Sequence, residues 1–251
     1  MTFLAAASKN PSQGKLDWAQ SLKSDLRLNQ KGAEVWPGPL MMNIEKLKEE
    51  QLAAARKVIT TDEAGEVKTI GGCDCAYVNS TVIAAIVVCD DKLNVIEKRT
   101  AAVETDFPYL TGMLYFREGP AIKEAFSKLL HKPDVLLVDG HGVLHPLRCG
   151  IASQLGVELN QATVGIAKTK LLGEEDEAGN IKAGNEIIGA EIRAKPHSKP
   201  LYVSVGHKIS LQTAVGLVHK TIHPPHKLPE PLHLAHRLAD KTRQAMESAQ
   251  R

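Results

Sequence analysis

The run Asp134-Val-Leu-Leu-Val-Asp139 departs from what a buried strand should be, and that departure is the first sign of chemistry. Short, continuous and aliphatic, it reads as a strand covered on both faces of a sheet, which should carry no charge. It nevertheless ends on Asp139, followed by Gly140, His141 and Gly142, a composition suited to a tight loop where backbone approaches a ligand. Ligands of open α/β sheets bind beyond the carboxyl ends of parallel strands, so Asp139 is expected to face a site. For this aspartate alone, a carboxylate capping its own loop amides is an equally good reading.

Two further carboxylates stand out. Thr69-Ile-Gly-Gly-Cys-Asp-Cys-Ala-Tyr77 sets Asp74 inside an apolar strand, where an ionised carboxylate is costly unless paired, hydrogen-bonded or metal-bound. Glu118 follows Arg117 in Leu114-Tyr-Phe-Arg-Glu-Gly-Pro120, on a predicted helix. Helical glutamates are usually solvated, so Glu118 by itself carries little weight. Oxygen donors from three separate elements suit Mg²⁺, with Mn²⁺ as a substitute, ions that also take water and phosphate oxygens. The late segment Pro231-Leu-His-Leu-Ala-His-Arg-Leu-Ala-Asp240 adds His236 and Asp240 on one helical face, together with His233. His223, His226, His233 and His236 could instead form a zinc cluster, but prolines split the pairs and no cysteine accompanies them. Zinc is the weaker reading.

Elements must hold these groups in place. Periodicity predicts an amphipathic helix over residues 43–59 with Asn43 as cap, then strands over 67–77, 81–89 and 93–103 that pair as an antiparallel meander. A helix over 112–130 leads to the 134–139 strand, which should join the sheet in parallel through a crossover. A helix over 148–155, a strand over 163–166, a hairpin-like region over 186–205 and two late helices follow. The fold class is α/β, a mixed sheet flanked by helices.

Length and composition bound the rest. The 251 residues, 43% apolar and 24% charged, suit one large domain or a domain with an extension. Residues 1–40 read as a polar, partly ordered extension ending at Trp36-Pro-Gly-Pro39, and residues 41–251 as the domain that carries the carboxylates. A net charge of +2 leaves any polyanion site to a local patch. The four cysteines, at 73, 75, 89 and 149, are too few for a disulfide scaffold and read as small buried hydrophobes. Cys73 and Cys75 should lie on the strand face opposite Asp74. No apolar run reaches the roughly 18 residues of a membrane span, and the start lacks a secretory signal. A soluble monomer is expected, cytoplasmic or, in a eukaryote, nuclear, with no membrane partner.

Three stretches resemble the endonuclease V family: Phe107-Pro-Tyr-Leu-Thr-Gly-Met-Leu-Tyr-Phe-Arg-Glu-Gly-Pro120, Lys132-Pro-Asp-Val-Leu-Leu-Val-Asp-Gly-His-Gly-Val-Leu-His-Pro146 and Val164-Gly-Ile-Ala-Lys168. The likeness runs in consistent order from about residue 45 to 240. It implies a ribonuclease H-like fold and metal-dependent cleavage of nucleic acid at inosine, the product of adenine deamination. Hydrolysis would fall on the second phosphodiester 3′ to the lesion, leaving 3′-hydroxyl and 5′-phosphate ends. The implied substrate is inosine-containing DNA, single- or double-stranded, in DNA repair; some relatives prefer inosine-containing RNA.

Carried over by matching motif, Asp74, Glu118 and Asp139 would hold the metal, with Lys168 and His236 completing the catalytic set and Arg117 supporting it. Pro108, Tyr109, Leu110 and Thr111 match the family's wedge, which fills the space of a displaced base. Extrusion costs a few kcal/mol, so a rigid aromatic plug is physically sensible. The wedge's usual second proline is here Thr111, which should loosen the loop. Gly112, Leu114, Gly140, Gly142, Gly150 and Ile151 would line the base pocket, and His145 and Ser153 would contact the nucleic-acid backbone. An inosine-specific endoribonuclease is the nearest alternative. A Holliday-junction resolvase or integrase shares acidic clusters but leaves Pro-Tyr-Leu before Arg-Glu-Gly-Pro unexplained. A non-cleaving inosine-binding module is disfavoured by the intact carboxylates.

Overall fold

Continuous aliphatic sequence produces the centre of the molecule. The computed structural model describes residues 43–63, 65–195 and 198–250. The chain divides into two units, Met1–Asn43 and Ile44–Arg251, and every element below belongs to the second. The expected extension over 1–40, with its Trp36–Pro39 boundary, lies outside the described residues.

Strands β1 (Thr69–Val78) and β2 (Thr81–Asp90) pair antiparallel through the Asn79-Ser80 turn, where Asn79 takes φ 51°. Tight hairpins need that left-handed conformation, and asparagine tolerates it. Asp90 closes the next turn by accepting from the amides of Lys92 and Asn94, and β3 (Val95–Glu104) completes the meander. Helix α2 (Leu114–Ser127) buries Tyr115, Ala121, Ile122, Ala125 and Phe126 and crosses over to β4 (Val135–Asp139), which pairs in parallel with β1. Helix α3 (Ile151–Leu159) leads to β5 (Ala162–Ala167), parallel to β4. Then come β6 (Glu174–Glu175), β7 (Asn180–Ala183), β8 (Glu186–Ile192), β9 (Leu201–His207), and helices α4 (Leu211–Thr221) and α5 (Glu230–Ala249). Among the described residues the strands form one sheet in the order β3-β2-β1-β4-β5-β9-β8-β7-β6.

Both faces of the sheet centre are covered, which explains the unbroken apolar strands. Cys73, Ile86, Leu136 and Val138 pack under α2 and α3, while Ile70, Val135, Leu137 and Val164 form a second core with Leu232 of α5 and Ala214 and Val218 of α4. All four cysteines are free.

Three expectations need correction. Helix α1 spans Ile44–Ala55 and stops short of residue 59, because the Ile59 amide donates to His207 Nδ1 at 3.1 Å and its carbonyl accepts from Lys208 at 2.7 Å. The helix expected from Arg148 begins at Ile151; Arg148 has φ 55°, outside helical space. The hairpin of β8 and β9 is present, but β6 and β7 extend the sheet beyond it, in polar sequence without strand alternation.

Candidate active site

Register and helix packing decide which carboxylates meet. Cys73 pairs with Val138 across β1 and β4, so Asp74 and Asp139 follow on neighbouring strands and point to the same face. Helix α5 lies on that face because Gly72 lets it: a Cβ at Gly72 would overlap the backbone of Pro231. One turn beyond Leu232, His236 Nδ1 sits 2.6 Å from Asp74 Oδ2, and Asp74 Oδ1 accepts from the Cys75 amide at 2.8 Å. Asp240 stands 3.9 Å from His236 Nε2 and pairs with Arg243. On the far side of Asp139, the Lys168 ammonium at the end of β5 pairs with its Oδ2.

Glu118 approaches from the other face. It is 8% exposed, and the Tyr77 hydroxyl donates to its Oε1. Burial first, then the negative charge of Glu118, pushes the Tyr77 phenol up, so it stays a donor. Arg117 lies over the Tyr77 ring at 4.8 Å and donates to the Phe107 carbonyl, one residue before Pro108. Among the described residues, no group of three histidine, cysteine, aspartate or glutamate side chains is gathered as a metal cluster. Each carboxylate is instead held by a nearby protein donor.

The electrostatics nevertheless mark a site short of positive charge. Burial raises Glu118 from 4.5 to about 7, with Asp74 and Asp139 adding to the rise against the Tyr77 bond. Burial, then Asp139, raises Asp74 from 3.8 to about 6 despite the His236 contact. For Lys168, burial disfavours the charge but Asp139 outweighs it, so its pKa is raised and it remains an ammonium. Buried carboxylates raised by desolvation and then by a neighbouring negative charge are a frequent signature of functional sites.

A cavity of about 220 Å³ opens beside Asp139 and Lys168. Tyr109, Leu110, Thr111, Gly112 and Leu114 line it from the segment entering α2, and Gly140, His145, Gly150 and Ile151 from the segment between β4 and α3. Pro108 is exposed and does not line the cavity. Tyr109 is 71% exposed, which removes the reading of a core aromatic. The loop carrying it is anchored by Phe107 stacked on Phe116, with ring centroids 5.8 Å apart.

Several expected residues are placed differently. Gly142 does not line the cavity; it lets the loop press against the Val205 backbone of β9, and its amide donates to Ser204 Oγ at 2.9 Å. Ser153 is fully buried and does not line the cavity, and His145, 3% exposed, is a wall of the cavity bonded to the Gly112 carbonyl. Of the late histidines, His226 stacks on His233 at 3.7 Å and pairs with Glu230, while His236 goes to Asp74. Sequence reading did not single out Tyr77, which bonds Glu118; His141 and Thr169, which line the cavity 2.8 Å apart; or Gln51, which bonds the Gly112 carbonyl. Tyr77 lay within the quoted motif and His141 between two glycines; nothing local to Gln51 distinguishes it from a surface helix residue.

A mixed sheet with parallel centre, adjacent aspartates on its middle strands and a helical glutamate opposite places the chain in the class of ribonuclease H-like folds with an acidic site. Comparison narrows the class. The sequence pattern of Endonuclease V matches residues 52–237. Endonuclease V of Roseiflexus castenholzii is 37% identical over 215 residues, covering 82% of this chain and 96% of that protein. The Bacillus subtilis Endonuclease V structure superposes with TM-score 0.75 at 30% identity, covering 83% of this chain and 95% of that one. Endonuclease V of Ciona intestinalis, solved with a 24mer DNA containing an inosine followed by a ribo-adenosine, gives TM-score 0.73 at 28% identity, covering 81% and 98%. The chain belongs to the endonuclease V family and is an enzyme that hydrolyses phosphodiester bonds.

Proposed function

We propose that this nuclease is metal-dependent, recognises inosine in DNA and cuts the second phosphodiester on its 3′ side in the repair of deaminated adenine. One observation carries the reading: a cavity of base size, about 220 Å³, shares Asp139 and Lys168 with the acidic site. Recognition and cleavage would then be neighbours on one surface. The inosine-containing DNA bound by the Ciona relative supports the choice of base. Residues 41–251 form the catalytic domain in this reading.

The donor set fits a hard divalent cation. Asp74, Asp139 and Glu118 offer carboxylate oxygens, and the raised pKa values of Asp74 and Glu118, set first by burial and then by neighbouring carboxylate charge, mark a site where a cation would be favoured. Mg²⁺, or Mn²⁺ in its place, would neutralise the scissile phosphate and favour hydroxide over water there. The chain's own residues do the rest. Lys168, held by Asp139, presents a fixed positive charge to a phosphate oxygen. With Asp74 accepting at Nδ1, His236 presents Nε2, 3.9 Å from Asp240 and beyond hydrogen-bond length, to exchange a proton with water or the leaving oxygen. Water oxygen bonds to phosphorus, the bond to O3′ breaks, and O3′ takes a proton, leaving 3′-hydroxyl and 5′-phosphate ends. Tyr109 at the cavity rim fills the gap left in the stack when the base turns into the cavity.

A second reading, cleavage of inosine-containing RNA, draws on the ribo-adenosine that follows inosine in the Ciona ligand. End-labelled DNA and RNA strands of one sequence, each with a single inosine and assayed with Mg²⁺, Mn²⁺ or EDTA, test both. Metal-dependent cutting one nucleotide beyond inosine is expected, and the faster substrate selects between the readings. Cutting in EDTA, or equal cutting of inosine-free strands, would refute the proposal.

A further inference from the structure

Helix α1 contributes a residue whose position is at odds with its sequence neighbourhood. Gln51 is 1% exposed although Glu49 and Glu50 beside it are in solvent. Its Nε2 donates to two carbonyls at once, Gly112 at 2.9 Å and Cys149 at 3.0 Å. Gly112 lines the cavity from the wedge side, and Cys149 is bonded to Gly150, which lines it from the α3 side. A single carboxamide nitrogen therefore bridges the two walls.

Other contacts define the geometry further. Gln51 Oε1 is buried with no hydrogen-bond partner among the described residues, so the two Nε2 bonds alone orient the amide. The reverse orientation would set its oxygen against two carbonyl oxygens. His145 Nδ1 accepts from the Leu147 amide at 3.1 Å, and burial pushes the imidazole down to about 4. The neutral ring thus carries its proton on Nε2, which donates to the same Gly112 oxygen at 3.0 Å. Behind α1, the chain is fastened to the end of β9 and the start of α4 by Ile59 on His207 and Lys208, and by Asp62 on Ser210 at 2.8 Å. The bridge is rooted in the body of the domain.

We propose that Gln51 is a positioning residue for base selection, a strut that sets the separation of the two walls of the base cavity. The inference rests on the reading of that cavity as the site of the displaced base. The carboxamide puts two uncharged N–H donors on one atom at this point; a carboxylate would repel both carbonyls, and an apolar side chain would leave only the His145 bond to Gly112 between the walls. A purine held by wall amides is sensitive to small shifts of those walls, since misplacement by about 1 Å can cost on the order of a hundredfold.

Gln51→Met keeps the length of the side chain and removes both donors. With Mg²⁺ and a strand carrying one inosine, its half-saturating concentration should rise about tenfold while the saturated rate stays within about threefold. An inosine-free strand of the same sequence should inhibit wild type and variant equally. A half-saturating concentration that does not move overturns the proposal, and so does an equal weakening of the inosine-free strand, which would mark Gln51 as general support. Should Gln51→Met fail to fold, Gln51→Asn, with both N–H groups on a shorter stem, is expected to show the same selective weakening; wild-type affinity for inosine in that variant overturns the strut. A wild-type enzyme with no preference for the inosine strand overturns the base-cavity reading itself, and does so without any substitution.

Discussion

Replacing Glu118 by glutamine should stabilise the metal-free protein at pH 8 and leave its stability unchanged near pH 4.5. The carboxyl is raised from 4.5 to about 7, first by burial and then by Asp74 and Asp139. A raised carboxyl means that the folded state holds its proton more tightly than the unfolded chain. Below pH 4.5 both states are protonated and Glu118 costs nothing; between 4.5 and 7 the unfolded chain ionises first and stability falls; above 7 the full cost, about 3 kcal/mol, is present. Glutamine keeps an acceptor for the Tyr77 hydroxyl and cannot ionise. The variant should therefore exceed wild type at pH 8 by up to about 3 kcal/mol, roughly 6–12 °C in Tm for a domain of this size. Thermal and urea unfolding in EDTA at pH 4.5, 6 and 8 measure the difference, and Mg²⁺ at pH 8 should close it by stabilising wild type alone. Parallel pH profiles for the two proteins in EDTA would refute the reasoning, because they would mean that Glu118 ionises in the fold as it does in water.

Other substitutions separate the parts of the site. Asp139→Ala should lower cleavage by about a thousandfold or more while binding of an inosine strand in EDTA persists; cutting at wild-type rate under Mg²⁺ would remove the acidic cluster from the chemistry. Tyr109→Ala, at an exposed position, should change stability by less than about 0.5 kcal/mol yet slow cutting of duplex more than of single strands, and equal slowing would dispose of the wedge. Gly72→Ala should push α5 off β1, costing about 1–3 kcal/mol in unfolding experiments and weakening the His236 contact with Asp74; a variant as stable and active as wild type would show that α5 gives way freely.

Much of the fold was legible because hydrophobic pattern reports burial directly. The meander, the crossover and the doubly covered β4 follow from aliphatic runs with turn residues between them. Asp139 and Asp74 stood out for the same reason, since a charge among buried apolar residues is conspicuous. The β6 and β7 strands left no such trace, being short and polar at the margin of the sheet. Helix ends were misjudged where a single backbone conformation, such as that of Arg148, or a tertiary bond, such as Ile59 on His207, overrode periodicity.

By itself, then, the sequence determined the centre of the sheet and its likeness to endonuclease V, and it made the three carboxylates conspicuous. The tertiary structure alone decided how those groups stand to one another. Strand register put Asp74 beside Asp139, the absent side chain of Gly72 brought His236 to Asp74, and Glu118 was left on the opposite face with Tyr77. It also turned Gly142 and Ser153 inward and brought Gln51, a polar residue of a surface helix, onto the carbonyls of Gly112 and Cys149. The physical reason is common to these cases. A residue's type and local period fix what it can bond, but its partner lies 61 residues away for Gln51 and Gly112, and 162 for His236 and Asp74. Only the packing of whole elements brings such pairs together.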